Sequence, residues 1–322
     1  MLQAQDFKTK QEVRWCPGCG NYAILSVMQK LLPKIGLPRE KIVIVSGIGC
    51  SGRFPYYMNT YGFHTIHGRA PAIATGLKLA RPDLSIWVVI GDGDGLSIGA
   101  NHLYHAIRRN CDIKIILINN KIYGLTKGQF SPTSDKGLVT STSPNGKKED
   151  SANPITFALS AGGTFVARGI DNDTKNLEDI LYTAAFHKGL AFVEILQDCH
   201  VFNPTAFDDI KNKRLREGNT VLLNHGKPLI FGKNFDKAVV LSDGKISIKN
   251  IHENNSVDLT NHDVSNEFYA YMLSRLSRPE FPLPIGIFRD VKKEIYDSPE
   301  IYFNSDSKKI INQAIATIVG RK

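Results

Sequence analysis

The sequence predicts an α/β fold in which a central parallel sheet is flanked by helices and followed by a C-terminal extension. Five short, nearly continuous apolar runs are typical of strands buried on both faces; they cover 41–45, 85–90, 114–118, 164–167 and 191–196. Segments of helical length accompany them at 22–32, 70–79, 98–108, 154–161 and 177–186. Because strand–helix alternation builds parallel sheets, we expect the functional residues at the carboxyl ends of the strands.

Length and composition indicate a globular protein with a sizeable core: 322 residues, 42% hydrophobic and 22% charged. No apolar run approaches the ~20 residues that cross a bilayer, and residues 1–15 lack an apolar secretory stretch, so we expect a cytoplasmic protein without a membrane partner. The formal net charge of +9 comes from scattered basic residues. This pattern does not favour nucleic acid as a partner, and it is compatible with attraction of an acidic electron-carrier protein.

The chain changes character near Pro204. Residues 1–204 hold the predicted buried strands and are interpreted as one domain, whereas residues 205–322 are interpreted as an extension that packs on the core or on a partner subunit. The extension contains a predicted hairpin at Asp243-Gly244, a favourable two-residue turn, and a predicted helix over 308–319. Within the first domain, the polar segment 121–153 is long for a loop, and we expect its first half to contribute to a site.

Two motifs follow successive predicted strands and indicate a diphosphate and magnesium site. The motif GDGDG at 91–95 follows one strand, and Asn119-Asn120 follows the next, so both lie at the same edge of the sheet. Asp92 offers a charged oxygen and Asn120 a neutral one, which suits an Mg²⁺ ion that bridges the protein to phosphates. The glycines allow the backbone to approach the diphosphate. Alone, GDGDG is also compatible with a Ca²⁺ loop; followed at this interval by NN, it is typical of thiamine-diphosphate enzymes.

Four of the five cysteines are placed to meet at the same edge of the sheet. Cys16 and Cys19 form a CxxC motif, and Cys50 and Cys199 each follow a predicted strand. Four thiolates bind either a structural Zn²⁺ ion or an iron–sulfur cluster, and the spacing alone does not separate these two. A redox cluster beside thiamine has a function in catalysis, which favours iron. Cys111 is interpreted as a buried thiol. A thioredoxin-like role for the CxxC motif leaves the strand-end cysteines unexplained.

The motifs WCPGCG, SGIGCSGR, IHGRAPAIATGLKLA, IGDGDGLSIG and INNKIYGLTKGQFSPT occur in this order within residues 14–205. They resemble the β subunit of two-subunit 2-oxoacid:ferredoxin oxidoreductases, with weaker similarity in PLPIGIFRDV. The resemblance implies a thiamine-diphosphate-binding fold, with Mg²⁺ held by Asp92, Asn120 and the Ile122 carbonyl and a [4Fe-4S] cluster held by Cys16, Cys19, Cys50 and Cys199. It also implies contacts to thiamine diphosphate from Ile48, Gly49, Cys50, Ser51, His67, Gly93, Asp94, Gly124 and Leu125.

The same resemblance implies a reaction: the oxidative decarboxylation of a 2-oxoacid with coenzyme A as acyl acceptor, electrons passing through the cluster to ferredoxin. His67 is implied as a catalytic residue facing the cofactor or the substrate. Arg53 and Lys127 are implied at the carboxylates of the substrate. A distal carboxylate fits 2-oxoglutarate, and the loop LTKGQFSPT resembles that of 2-oxoglutarate-using or broad-specificity members. We therefore favour 2-oxoglutarate, with pyruvate or a broad 2-oxoacid specificity as alternatives.

A partner subunit is expected for a chemical reason. Thiamine enzymes use a glutamate to protonate the pyrimidine ring, and no recognisable motif supplies it here, so we expect an obligate α subunit and an αβ or (αβ)₂ assembly. Two rival interpretations remain open at this point. One is a non-oxidative thiamine-dependent decarboxylase or synthase with structural zinc, and the other is a zinc-stabilised scaffold or regulatory subunit without enzymatic activity.

Overall fold

The structure, a computed structural model, describes residues 2–242, 244–252 and 259–296, together with positions 309, 312 and 313. Its strands are β1 Ile42–Ser46, β2 Tyr61–His64, β3 Ser85–Gly91, β4 Lys114–Asn119, β5 Phe165–Ile170, β6 Ala191–Leu196, β7 Thr220–Leu223, β8 Ile230–Phe231, β9 Lys237–Ser242, β10 Lys245–Asn250 and β11 Leu283–Asp290. Its helices are α1 Asn21–Ile35, α2 Ala70–Ala80, α3 Asp92–Leu96, α4 Ala100–Arg109, α5 Pro154–Ser160, α6 Thr174–Phe186, α7 Asp208–Lys211, α8 Lys213–Asn219 and α9 Glu267–Ser274. Short 3₁₀ helices cover Ala4–Phe7, Arg39–Lys41 and Ser51–Tyr57. The helix predicted over 308–319 lies outside the described residues, apart from the three isolated positions.

The central sheet has eight strands in the order β2-β1-β3-β4-β6-β5-β11-β7 among the described residues. The first six strands of this order run parallel to one another. Strand β11 pairs antiparallel with β5 and parallel with β7, so β11 and β7 run in the direction opposite to the other six strands. The predicted α/β fold with a parallel sheet flanked by helices is therefore confirmed, and the sheet extends further than the sequence indicated.

Helices bury the sheet on both faces. In β1, Val43 and Val45 belong to a core on one side, together with residues of α2 and α4. Ile42 and Ile44 belong to a second core on the other side, together with residues of α1 and α6. Because alternate residues of each inner strand enter different cores, the strands read as continuous apolar runs, which is the pattern that predicted them.

Local chemistry sets the ends of several helices. Helix α1 ends at Ile35 and is followed by Gly36, whose φ of 77° is the left-handed conformation that closes helices. Helix α5 begins after Asn153, whose side chain accepts hydrogen bonds from the backbone N–H groups of Ile155 and Thr156, and Pro154 occupies its first position. These ends agree with the predicted segments to within a few residues.

The C-terminal part contributes strands to two sheets. Strands β9 and β10 form the predicted hairpin, with Ser242 opposite Lys245, and β8 completes a separate antiparallel sheet. Strands β7 and β11 join the central sheet, and the sequence analysis identified neither of them. Pro284 and Gly286 interrupt the apolar pattern of β11, and its pairing shifts between Ile287 and Arg289. The domain boundary at residue 204 stays a prediction.

None of the described helices combines the length and the apolar character that crossing a membrane requires.

Candidate active site

A cavity of about 470 Å³ opens at the carboxyl ends of β1, β3 and β4. Its walls come from the segments that follow these strands and from residues 122–129. All the residues predicted to contact thiamine diphosphate line this cavity, and so do the three predicted to hold Mg²⁺. Motifs that are far apart in the sequence thus meet in one place because parallel strands bring their carboxyl ends to a common edge.

Asp92 is a buried acidic group of this cavity. It begins α3 directly after β3 and is 2% exposed. Its Oδ2 atom accepts hydrogen bonds from Ser131 Oγ at 2.5 Å and from Thr133 Oγ1 at 2.6 Å. Burial raises the pKa of the Asp92 carboxyl, and the two hydroxyls partly oppose this shift. A buried carboxylate of this kind is stabilised by a cation, so it fits a metal ligand.

The turn after β4 presents further oxygen donors to the same cavity. Asn120 and Ile122 both line the cavity, and Asn120 Oδ1 accepts a hydrogen bond from the Ile122 backbone N–H at 3.1 Å. This bond folds the turn that carries both residues to the cavity that Asp92 also lines. A carboxylate, an amide oxygen and a carbonyl are the ligand types that Mg²⁺ prefers. The residues present therefore fit the ion that the sequence predicted.

Asp94 connects the segments that follow three different strands. Its Oδ1 atom accepts hydrogen bonds from the backbone N–H groups of Gly68 at 2.8 Å and Ile48 at 3.2 Å. His67 Nδ1 lies 2.6 Å from the same oxygen, although the contact is not aligned for a hydrogen bond. Burial raises the pKa of the Asp94 carboxyl against these partners, and its Oδ2 atom is buried without a hydrogen-bond partner among the described residues.

Close packing explains one glycine that lines the cavity and a second that precedes Ile48. A Cβ atom on Gly93 would lie 2.4 Å from Cε1 of Tyr123, whose hydroxyl donates a 2.9 Å hydrogen bond to the Gly93 carbonyl. A Cβ atom on Gly47 would lie 1.7 Å from Asp94 Oδ2. Both positions therefore need a residue without a side chain, whatever the cavity binds.

A second cavity of about 190 Å³ adjoins the first. Cys16, Cys19, Cys50 and Cys199 all line it, as the sequence predicted for these four thiols. The two cavities share a wall: Cys50, Asn120, Gly124, Leu125 and Gln197. The fifth cysteine, Cys111, is 1% exposed in the apolar core, so its interpretation as a buried thiol is confirmed.

Two of the four thiols, those of Cys19 and Cys50, need a positive charge nearby in order to ionise. Burial raises the pKa of Cys19 and of Cys50 to about 11, and neighbouring thiols add to both shifts. Arg53 partly opposes the shift at Cys50. Because a bound metal stabilises thiolates, this donor set fits a metal centre. Within the described ranges, however, no three His, Cys, Asp or Glu side chains are arranged to hold a single metal ion.

The three residues predicted to be catalytic lie in three different places. His67 lines the first cavity, whereas Arg53 lines the cysteine cavity. Lys127 is exposed on the loop beside Thr126, with a φ of 76°. The structure thus does not bring Arg53 and Lys127 to the wall of the first cavity.

Other residues of the site were missed by the sequence analysis. Gln197 follows β6 and belongs to the shared wall, so the rule of strand ends would have identified it. Trp15 donates a hydrogen bond from Nε1 to the Cys50 carbonyl at 2.7 Å. Ser131 and Thr133 approach Asp92 from within a loop, where no strand-end signal exists.

A mostly parallel α/β sheet with Asp92 and Asn120 at adjacent strand ends defines a thiamine-diphosphate enzyme. Residues 47–195 match the family model of the thiamine pyrophosphate enzyme C-terminal TPP-binding domain. This match covers the residues that line the first cavity except Gln197, which lies just beyond it.

Longer similarities define the family. The chain is 51% identical over 298 residues to the 2-oxoglutarate oxidoreductase subunit KorB of Mycobacterium tuberculosis, which covers 92% of this chain and 80% of that protein. It is 46% identical over 215 residues to the 2-oxoacid:ferredoxin oxidoreductase subunit beta of a Sulfolobus species, covering 66% and 70% of the two chains. A solved structure of 2-oxoglutarate:ferredoxin oxidoreductase from Magnetococcus marinus, with 2-oxoglutarate, coenzyme A and succinyl-CoA bound, matches with a TM-score of 0.77 at 32% identity, covering 97% of this chain and 96% of that one.

The chain therefore belongs to the family of 2-oxoacid:ferredoxin oxidoreductase β subunits, and it is a subunit of a thiamine-diphosphate-dependent oxidoreductase. The resemblance inferred from the motifs is confirmed.

Proposed function

We propose that this β subunit, together with an α subunit, catalyses the coenzyme A-dependent oxidative decarboxylation of 2-oxoglutarate and passes the electrons through a [4Fe-4S] cluster to ferredoxin. The observation that carries the proposal is the shared wall between the two cavities. One cavity gathers the residues suited to thiamine diphosphate and Mg²⁺, and the other gathers four thiols. Cys50 and Gly124 belong to both, so an electron leaving the first site has a short path into the second.

In the first cavity, Asp92, Asn120 and the Ile122 carbonyl would hold Mg²⁺, whose positive charge would offset the negative charge of the buried carboxylate. Thiamine diphosphate, when bound, supplies a nucleophilic carbon and an electron sink for the loss of CO₂. The backbone of Ile48 to Ser51, together with Gly93, Asp94, Gly124 and Leu125, contacts the cofactor. Because His67 Nδ1 lies 2.6 Å from Asp94 Oδ1, Nε2 is the ring nitrogen left free to contact the cofactor or the substrate.

In the second cavity, Cys16, Cys19, Cys50 and Cys199 bind the cluster. A zinc site needs its sulfur atoms gathered about 2.3 Å from one ion, and no three of these side chains are so arranged among the described residues. A cluster of four irons is larger than one ion and is held by thiols that stand further apart. Arg53 adds a positive charge beside Cys50, which helps to hold the ligands as thiolates.

Similar proteins support the proposed substrates. Relatives named for 2-oxoglutarate and a solved structure containing 2-oxoglutarate and coenzyme A support these two as substrates. We propose that Lys127 and Arg53 recognise the carboxylates of the substrate when the α subunit completes the pocket. The α subunit also supplies the glutamate that protonates the pyrimidine ring.

The test uses the αβ complex, coexpressed and purified without oxygen. We expect dye reduction that requires both 2-oxoglutarate and coenzyme A, together with iron and acid-labile sulfide in equal amounts. A colourless complex with stoichiometric zinc would exclude the cluster, and faster turnover of pyruvate would exclude the proposed substrate preference. Cys199→Ser should abolish dye reduction while thiamine diphosphate still binds. Cys111→Ala, which alters a buried cysteine outside both cavities, serves as the matched control.

A further inference from the structure

A continuous series of buried polar side chains extends from Asp92 away from the thiamine cavity. Thr133 Oγ1 lies 2.6 Å from Asp92 Oδ2 and 2.9 Å from Asn119 Oδ1. Asn119 Nδ2 donates a 2.7 Å hydrogen bond to Glu194 Oε1, and Arg168 Nε donates one of the same length to Glu194 Oε2. Each of these five residues is at most 4% exposed. We call this series the Asp92 relay.

The relay crosses neighbouring strands of the sheet. Asn119 is the last residue of β4, and Glu194 lies on the adjacent strand β6. Arg168 lies on β5 directly opposite Glu194 in the parallel register. Polar residues at these buried positions interrupt strands that are otherwise apolar. Buried polar groups destabilise a fold unless they are paired, so a paired set beside an active site calls for a functional reason.

The amide of Asn119 has a fixed orientation. An ionised carboxylate only accepts hydrogen bonds, so the contact with Glu194 requires the Nδ2 side of the amide. The Oδ1 side then faces Thr133 and also accepts the backbone N–H of Lys121 at 3.1 Å. Glu194 requires a donor at one end of the amide, and the Lys121 N–H and the Thr133 hydroxyl require an acceptor at the other. The reverse orientation would therefore break contacts on both sides.

The orientation of Asn119 restrains the hydroxyl that reaches Asp92. Thr133 has one hydroxyl proton and donates it to two oxygen acceptors, Asp92 Oδ2 at 2.6 Å and Asn119 Oδ1 at 2.9 Å, as a shared three-centre hydrogen bond. Ser131 Oγ donates to the same Oδ2 atom at 2.5 Å. Both hydroxyls therefore bind the Oδ2 edge of the carboxylate and restrain its orientation.

Arg168 balances the charge of Glu194 within the relay. Without it, the buried carboxylate of Glu194 would add a second negative charge to the same polar network as Asp92. The paired guanidinium cancels that charge, and its Nη1 atom also donates to the Pro284 carbonyl of β11 at 3.3 Å. The strand that the sequence failed to predict thus helps to hold the far end of the relay.

We propose that Thr133, Asn119 and Glu194 are positioning residues that hold the Asp92 carboxylate in the orientation that binds Mg²⁺. This rests on the proposed Mg²⁺ site, and it separates the roles of the paired asparagines. Asn120 lines the cavity, whereas Asn119 acts through Thr133 from behind. Partners that orient a metal ligand typically change metal affinity about 10- to 100-fold when they are removed.

The test measures metal dependence rather than turnover. Thiamine diphosphate is titrated calorimetrically into the αβ complex at a series of fixed Mg²⁺ concentrations. Thr133→Val should raise the Mg²⁺ concentration needed for half-maximal binding about 10- to 100-fold, whereas Thr133→Ser, which keeps the hydroxyl, should remain close to the unmodified complex. Thr164→Val is the matched control because it removes an equally buried hydroxyl that bonds to Asn110 outside the relay. It should lower the melting temperature and leave the Mg²⁺ requirement unchanged.

A double variant tests whether Asn119 acts through Thr133. Asn119→Ala should also raise the Mg²⁺ concentration needed for half-maximal binding, and Asn119→Ala combined with Thr133→Val should be no worse than Thr133→Val alone. Full additivity would overturn the relay, as would a normal Mg²⁺ requirement in Thr133→Val or an equal defect in Thr164→Val. If the unmodified complex itself binds thiamine diphosphate without Mg²⁺, the proposed metal site fails instead, so the two failures are distinguishable.

Discussion

The indole Nε1 of Trp15 donates a 2.7 Å hydrogen bond to the carbonyl oxygen of Cys50. Trp15 directly precedes Cys16, and its ring packs edge-on against Tyr22 and Tyr57. One side chain therefore joins the CxxC segment to the turn after β1. The connection matters to the cysteine cavity because its four thiols come from segments that are otherwise far apart in the chain.

Trp15→Phe should make the cluster less durable. The substitution keeps most of the aromatic packing and removes the hydrogen bond, whose net contribution is about 1 kcal/mol. We expect the visible absorbance of the αβ complex to decay several times faster in air, measured as a first-order rate. Trp87→Phe is the control, since Trp87 is fully buried and donates to Ser85 Oγ at 3.2 Å away from the cysteines. Equal decay in both variants would mean that the connection to Cys50 has no special role.

Gly93→Ala should impair the binding of thiamine diphosphate. The new Cβ atom would collide with the Tyr123 ring, and overpacking of this kind costs about 1–3 kcal/mol. Calorimetry of the Mg²⁺-loaded complex should therefore give an affinity at least about tenfold weaker. Gly76→Ala is the matched variant, because nothing lies within 4 Å of its Cβ position in α2. It should bind normally and gain about 0.5–1 kcal/mol from helix propensity; normal binding in Gly93→Ala would contradict the packing argument.

The sequence predicts most of the first cavity for a physical reason. Parallel strands bring their ends together, so Asp92, Asn120 and Cys50 are recognisable from where they stand relative to the apolar runs. The hydroxyl of Thr133 is different, because it reaches Asp92 through the folding of a loop that has no periodicity. Strand β11 could not be predicted from the sequence because Pro284 breaks the apolar pattern of a buried strand.

Asp94→Asn should stabilise the cofactor-free protein at neutral pH. Burial raises the pKa of Asp94 above the ordinary value of 3.8, so the folded state holds a proton that the unfolded chain has already released. This contribution to stability is lost as the pH rises from 3.8 through the raised pKa of the folded state, and it stays lost at higher pH. The amide keeps an oxygen for the N–H groups of Gly68 and Ile48. The melting temperature should exceed that of the unmodified protein at pH 7, with the difference closing as the pH falls towards 3.8.

Asp83 provides the control of opposite sign. Hydrogen bonds from Arg81 and Lys41 lower the pKa of its exposed carboxyl, so its contribution is present at neutral pH and lost in acid. Asp83→Asn should therefore leave the melting temperature at pH 7 unchanged or slightly lower, never higher. A gain of similar size in both variants would show that removing any negative charge from this protein is stabilising, and the burial argument for Asp94 would fail.

Lys127→Met and Arg53→Met should discriminate between substrates. A charged hydrogen bond to a carboxylate contributes about 1.5–3 kcal/mol, so the KM for 2-oxoglutarate should rise about tenfold or more, and the KM for pyruvate, which lacks the distal carboxylate, should change less. Lys136→Met is the control because Lys136 is exposed on the same loop and pairs with Asp150. Since Arg53 lines the cysteine cavity, the reduction potential of the proposed cluster should also be measured in Arg53→Met. If Arg53→Met shifts the reduction potential and leaves the KM values for 2-oxoglutarate and pyruvate unchanged, Arg53 acts on the proposed cluster. Lys127 would then be the only one of the two residues that binds the substrate.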